Sequence, residues 1–155
     1  MTYFRELRRK DRAIDPSEAI GILEKSDFGV LCTCDGVYPY AVPVNYVYKN
    51  GAIYVHSSNQ GYKIDNIKKN DRVSFVVVGD CEVLPQEFST RYESVVVFGR
   101  AEILKGKDVL DPLREIVKKY SPQYMHQAEK VIERYLEEVC IIKIHIEYIQ
   151  GKARR

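Results

Sequence analysis

Within eight residues, HSSNQGYK from His56 to Lys63, the sequence sets a histidine, two serines, an asparagine, a glycine and a lysine. Hydroxyl and amide groups followed within one helical turn by a cation suit a phosphate. The first four N–H groups of a helix lack partners and its dipole is positive there. Ser57, Ser58 and Asn59 supply short donors, and Lys63 supplies a point charge. The competing reading is a polar helix start, since a capping run needs only one such side chain. His56, at a strand end, is read either as a structural hydrogen bonder or as a contact to phosphate or substrate.

A second candidate lies just upstream, in PYAVPVNYVY. Prolines survive in sheets at edges and bulges, so Pro39 and Pro43 predict a strand not fully paired along its length. Backbone groups of Val42, Val44 and Asn45 would then be free to bond a planar molecule with polar edges; the alternative is an irregular edge strand facing solvent. Elsewhere the chemistry is sparse. His126 and His145 read as solvated, and no Ser/His/Asp order or carboxylate pair can be argued. Cys32, Cys34, Cys81 and Cys140 form no metal-binding spacing and read as small buried hydrophobes.

The elements that must position these residues follow from pattern. Asp15-Pro16-Ser17-Glu18 predicts a helix start with Asp15 as cap and Glu18 completing a capping box. Phe28–Cys34 predicts a buried strand, with two-residue hairpins at Asp35-Gly36 and Asn50-Gly51 on either side of the next. A short helix is expected after His56, anchored by Ile64 and Ile67, then a fourth strand over Arg72–Cys81 and a fifth over Tyr92–Leu104 with a bulge or bend at Gly99. Two helical segments follow, one within Asp108–Lys119 and one after Ser121-Pro122. The last strand, CIIKIHIEYI, alternates, with Cys140, Ile142, Ile144, Ile146 and Tyr148 on one face. The expected fold is mainly β with flanking helices: a six-stranded antiparallel split barrel that curls to hide its edges.

At 155 residues, with 45% hydrophobic and 30% charged residues, the chain reads as one globular domain over 1–155. A net charge of +2 is too small to point to nucleic acid by itself. The basic runs RRKDR from Arg8 and KARR from Lys152 read as solvated tails. With no signal-like or membrane-spanning segment in the sequence, a cytoplasmic location is expected.

The order PYAVPVNYVY, GAIYVHSSNQGYKIDNIKKNDRVSFVV and TRYESVVVFGRAEI resembles the FMN-binding split-barrel superfamily of pyridoxamine 5'-phosphate oxidase, and within it the nitroimidazole-resistance branch. The run H-S-x-x-x-G-x-K with the downstream Y-x-S-V-x-x-F-G is its most specific part. The resemblance implies a homodimer with FMN in a groove between subunits. Val42, Pro43, Val44, Asn45 and Tyr46 would line the isoalloxazine edge. His56, Ser57 and Lys63 would hold the phosphate with Tyr62 beside them. Ser94 and Val95 would close the pocket, from the same or the partner subunit. The chain ends EYIQGKARR and lacks the C-terminal arginine and proline pattern with which the oxidase grips its vitamin substrate.

The leading functional expectation is an FMN-dependent oxidoreductase passing electrons from a reduced nicotinamide to a small, nitro-aromatic type of acceptor. The alternative is a non-enzymatic binder of flavin, haem or deazaflavin, with His56 or His145 as haem ligand. A third, a single-strand nucleic-acid binder, rests only on basic tails and tyrosines.

Overall fold

The computed structural model describes residues 3–155. Seven strands form one antiparallel sheet: β1 (Gly29–Cys34), β2 (Pro39–Val44), β3 (Val47–Lys49), β4 (Ala52–Ser58), β5 (Arg72–Leu84), β6 (Ser89–Leu104) and β7 (Val139–Arg154). Four α-helices, α1 (Pro16–Lys25), α2 (Tyr62–Lys69), α3 (Leu110–Tyr120) and α4 (Met125–Tyr135), flank it. The order across the sheet is β2-β1-β5-β6-β7-β4-β3.

That order corrects the expected six-stranded closed barrel. The segment read as one long second strand breaks at Asn45-Tyr46 into β2 and β3, which lie at opposite edges of the sheet. Two residues span only a few ångströms, so the sheet must curl until its edges nearly meet. No ladder joins β2 to β3, and the curl stays open.

The inward faces make the core. Leu31, Ile53, Val55, Phe75, Val77, Val95, Val97, Ile142 and Ile144 are all inaccessible to solvent, each stabilising the fold by about 1.5–3 kcal/mol of burial. Helix α1 adds Ala19, Ile22 and Leu23 to this cluster, and α2 adds Ile64 and Ile67, the two anchors its spacing predicted. Pro16 takes the first turn of α1, but Asp15 makes no side-chain capping bond, and Glu18 pairs with Arg155 instead of closing a capping box. A second, smaller cluster, Val47, Val109, Ile116 and Ile141, forms on the opposite face of the sheet under α3. The start of β7 is therefore buried on both faces, where alternation predicted one.

Turn chemistry shapes the rest. Asn50 and Gly51 both take positive φ (50° and 81°), the hairpin geometry their pairing predicted. The β1–β2 connection is wider than the expected two residues: Asp35 Oδ1 accepts the Val37 N–H at 3.0 Å before β2 begins at Pro39. Strands β5 and β6 run on through the segment read as a loop, pairing as far as Leu84↔Ser89 and turning at Phe88, which is left-handed (φ 49°). The C-terminal basic run lies in β7, with Arg154 bonded to Glu87, rather than in a loose tail.

The irregularity expected at Gly99 is present. Phe98 pairs with Tyr148 but Gly99 with Ile146, so Glu147 is extra and the alternation of β7 changes sign there. Ile149 consequently packs against the core, while Tyr148 turns outward to stack on Phe4 at 4.9 Å, the reverse of the single alternation read from sequence. A Cβ on Gly99 would overlap the His145 carbonyl oxygen. Gly99→Ala is expected to cost about 1–3 kcal/mol by overpacking, measured as a lower urea midpoint with an unchanged slope.

Glu93 is almost buried, with its carboxylate 2.8 Å from Lys25 Nζ and accepting the Asp80 N–H. The lysine holds its pKa below the ordinary 4.5. The unfolded chain therefore binds more protons just below pH 4.5, and this contribution, full above that pH, is lost as pH falls. Glu93→Gln should flatten the acid side of the stability profile; an unchanged profile below pH 4.5 would discount the pair.

Candidate functional site

The site begins where a hairpin comes apart. Val47↔Tyr54, Tyr48↔Ile53 and Lys49↔Ala52 pair β3 with β4. Continued backwards, that register would set Val44 opposite Ser57 and Tyr40 near Gly61, but β2 has left to pair with β1 over Gly29↔Val44 to Cys34↔Pro39. Residues Val55–Ser58 of β4 and the outer edge of β2 are thus left without strand partners on facing sides. Helix α2 starts at the end of this split. The Tyr40 and Tyr62 rings stack across it, 4.2 Å apart and 10° from parallel. Buried Asn66 Nδ2 donates to Thr33 Oγ1 at 3.0 Å and fixes α2 on β1.

The N-terminus of α2 carries no side-chain cap. Gly61 precedes it at φ 133°, a conformation that favours glycine, with open space where a Cβ would stand. Lys63 lies in the first turn and has no ion-pair partner among the described residues, unlike Lys69, which lies 4.0 Å from Asp35. Asn59 Nδ2 donates to the Glu137 carbonyl, leaving Asn59 Oδ1 buried with no partner. An uncapped helix end, a lysine and an orphaned acceptor so converge at one end of the split. That arrangement can hold an anion carried on a polyhydroxyl chain, the anion on the N–H groups and a hydroxyl on Asn59.

The residues read from sequence separate. Lys63 and Tyr62 belong to this end, and Tyr62 is 54% exposed. His56 and Ser57 do not act together, because neighbours on a strand face opposite ways. Ser57 turns into the core and its hydroxyl donates to the Ser58 carbonyl at 2.9 Å, whereas Ser58 Oγ, on the open side, accepts the Gln60 N–H. His56 turns out toward α3 and α4. It remains solvent-exposed, and the apolar groups packed beside it together with the charge of Lys63 hold its pKa below the usual value. Ser58, Asn59, Gly61 and the stacking partner Tyr40 are the residues the motif undervalued. The parity of AIYVHSS, with Ile53 and Val55 inward, already assigned Ser57 to the core.

The β2 edge also differs in detail. Val42 and Val44 pack their side chains on the core. A sheet proline turns its missing donor away from its partner strand, so the groups facing the open edge are those of Pro39, Ala41 and Pro43. Those of Val42 and Val44 turn toward β1. The edge offers carbonyls and one N–H, from Ala41.

Tyr46 is not part of any edge. Its side chain is fully buried, its hydroxyl donates to the Leu23 carbonyl at 2.5 Å, and its ring meets Phe75 edge-on at 4.9 Å. The end of α3 takes its backbone: the Tyr46 N–H donates to Tyr120 Oη at 2.9 Å, and Lys119 Nζ donates to the carbonyls of Tyr46 (3.0 Å) and Ser26 (2.6 Å). The Tyr120 hydroxyl reaches the Asp27 carbonyl at 2.6 Å, to which Asn45 Nδ2 also donates. Lys119 stands 4.0 Å over the Tyr46 ring, and its burial lowers its pKa.

Strand β6 is at the centre of the sheet, away from the split. Val95 is inaccessible in the core and laddered on both sides, to Val77 and Gly151. Ser94 points out of the opposite face. That face is largely apolar and half-exposed, with Phe4 packed over Phe98 at one end. Register aligns Pro43, Val30, Val76 and Val96 across four strands, with Ala41, Cys32, Ser74 and Phe98 in the adjoining row. Val78, next to Ser94, is 55% exposed. All four cysteines are free, but only Cys140 is buried; Cys32 and Cys34 share this outer face, and Cys81 is exposed.

Residues 15–153 match the family model described as pyridoxamine 5'-phosphate oxidase. The chain belongs to the pyridoxamine 5'-phosphate oxidase family. No curated protein matches the sequence. Among solved structures, a candidate 5-nitroimidazole antibiotic resistance protein from Bacteroides thetaiotaomicron is 23% identical, with 90% of this chain and 85% of that one covered and a TM-score of 0.71. An FAD-binding protein from Mesorhizobium loti is also 23% identical, over 93% of this chain and 98% of that one, at 0.66. A flavocytochrome from Azotobacter vinelandii is 19% identical, over 97% and 72%, at 0.81. At these identities the likeness is one of fold. Among the described residues, no helix is long and apolar enough to cross a membrane.

Within this member of the pyridoxamine 5'-phosphate oxidase family, Tyr120 is the residue that keeps the split in place. Tyr120→Phe leaves the buried Tyr46 N–H without an acceptor and is expected to cost about 1–3 kcal/mol. Hydrogen exchange should speed up at Tyr46 and along β2; exchange unchanged there would remove α3 from control of the edge.

Proposed function

We propose that the protein is a homodimeric, FMN-dependent oxidoreductase. The observation that carries this reading is the uncapped start of α2, with Lys63 in its first turn, opening beside the unpaired edge of β2 in a chain of this family. The phosphate would sit on the α2 N–H groups and Lys63, the ribityl hydroxyls beside Asn59 and Ser58, and the ring along Pro39, Ala41 and Pro43. Carbonyls on that edge suit a ring N–H donor, and the Ala41 N–H suits a ring acceptor. Tyr40 and Tyr62 would flank the end of the chain. A flavin held there supplies reversible hydride and electron transfer, while the protein holds, orients and shields it.

Two further observations support the assembly and the cofactor class. The half-exposed face over Val30, Val76 and Val96 adjoins the β2 edge, so a second copy packed on it would bury apolar surface and wall an otherwise open groove. Structural neighbours include an FAD-binding protein and a flavocytochrome, which favours a flavin over nucleic acid. A small aromatic or nitro-aromatic acceptor and a reduced nicotinamide donor complete the reading, with the Bacteroides neighbour as its prompt. A haem reading would fall on His56, because His145 Nε2 is engaged by Glu102 at 2.8 Å.

The test is the visible spectrum of the purified protein after addition of FMN, then of reduced nicotinamide without oxygen. Stoichiometric flavin bands that bleach are expected; protein that neither carries nor takes up FMN overturns the reading. Lys63→Ala should weaken FMN binding by about 10- to 100-fold, the loss of a charge-assisted hydrogen bond of about 1.5–3 kcal/mol. Val76→Arg should give monomers by analytical ultracentrifugation and lose FMN with them. A dimer that persists would place the interface elsewhere.

A further inference from the structure

A cleft of about 280 Å³ opens between α3, α4 and the sheet. Its walls are Leu113, Ile116 and Val117 of α3 and Val131 and Ile132 of α4, and His56 is its one strongly polar lining group. Such a pocket, apolar apart from one placed polar group, has the composition of a small-molecule site. Its lining shares no residue with the β2 edge or the start of α2, although His56 lies on the same face of β4 as Ser58. At the mouth, Val131 is 53% and Tyr135 44% exposed, leaving apolar surface wetted that an occupant would cover.

We propose that this cleft is a second binding site, for a flat, uncharged compound of one or two aromatic rings bearing a single hydroxyl that bonds the His56 imidazole. Each part of that description has a cause. The volume accommodates one or two rings and is too small for a dinucleotide or a macrocycle. An ion would be desolvated against aliphatic walls without a partner, and Lys63 close to His56 disfavours a cation in particular. The His56 ring is solvent-exposed and has no hydrogen-bond partner among the described residues, so its two ring nitrogens are open to a ligand. A hydroxyl can satisfy either.

The probe is 2-naphthol, with 2-methylnaphthalene as its counterpart of similar shape lacking the hydroxyl. Titration calorimetry should give one saturable site per chain for 2-naphthol, and the His56 ring nitrogen resonances should shift on binding. His56→Phe keeps the cleft apolar and should reduce the preference for 2-naphthol over 2-methylnaphthalene at least tenfold. Val131→Trp, at a half-exposed position that tolerates bulk, should fill the cleft and weaken both probes at least tenfold, with the circular dichroism spectrum and FMN uptake unchanged. The proposal is overturned if 2-naphthol does not saturate, if the His56 resonances stay in place, or if Val131→Trp binds normally. It is equally overturned if Val131→Trp separates a dimer, for then a second copy covers the cleft. FMN uptake is read independently, so failure here leaves the flavin reading standing.

Discussion

The fold depends on the capture of one peptide segment. Asn45-Tyr46 could have continued a long regular hairpin with β4. It does not, because the Tyr46 side chain drops into the core onto Phe75 while its backbone N–H and carbonyl are bonded by Tyr120 and Lys119. With the chain held at that point, β2 is directed to β1 and β3 to β4. A sheet that would otherwise be a flat meander curls with its two ends tethered. The core, the open edge of β2 and the position of α2 all follow from that tether. These bonds are costly to disturb because Tyr46 is itself fully buried, so its backbone groups left alone would remain largely out of water.

Legibility in the sequence followed the range of the interactions involved. Asn50-Gly51 announced its turn because both residues tolerate positive φ, and Ile64 and Ile67 announced the buried side of α2 because three residues nearly complete a helical turn. These are local matters. The break at Asn45-Tyr46 was hidden because its cause, Tyr120, is 74 residues away. The parity change in β7 was hidden for the same reason, since Glu147 is surplus only relative to β6. Pro39 and Pro43 did announce an edge; which groups that edge presents follows from asking where a proline's missing donor must point.

The phosphate motif was legible as a region and misread in its parts. A motif is a string, but a strand deals alternate residues to opposite faces. The string HSS therefore divides between the core, which takes Ser57, and the outer face, which His56 and Ser58 share. Lys63 stays in the site because the helix, unlike the strand, begins there. The register puts Ser94 and Val95 at the middle of the sheet, one facing outward and one inward.

The two prolines of β2 also bear on how copies of the chain can meet. Strands left unpaired at the end of a sheet usually invite another strand to add, which is how edge-to-edge polymers and fibrils start. Here the exposed row lacks a donor at Pro39 and again at Pro43, so an incoming strand would find three carbonyls but only one of the three N–H groups it needs. The curl brings the tethered β3 close to the same opening. The molecule can thus keep an open seam for a small planar guest while denying it to another polypeptide, and self-association is steered from seams to faces.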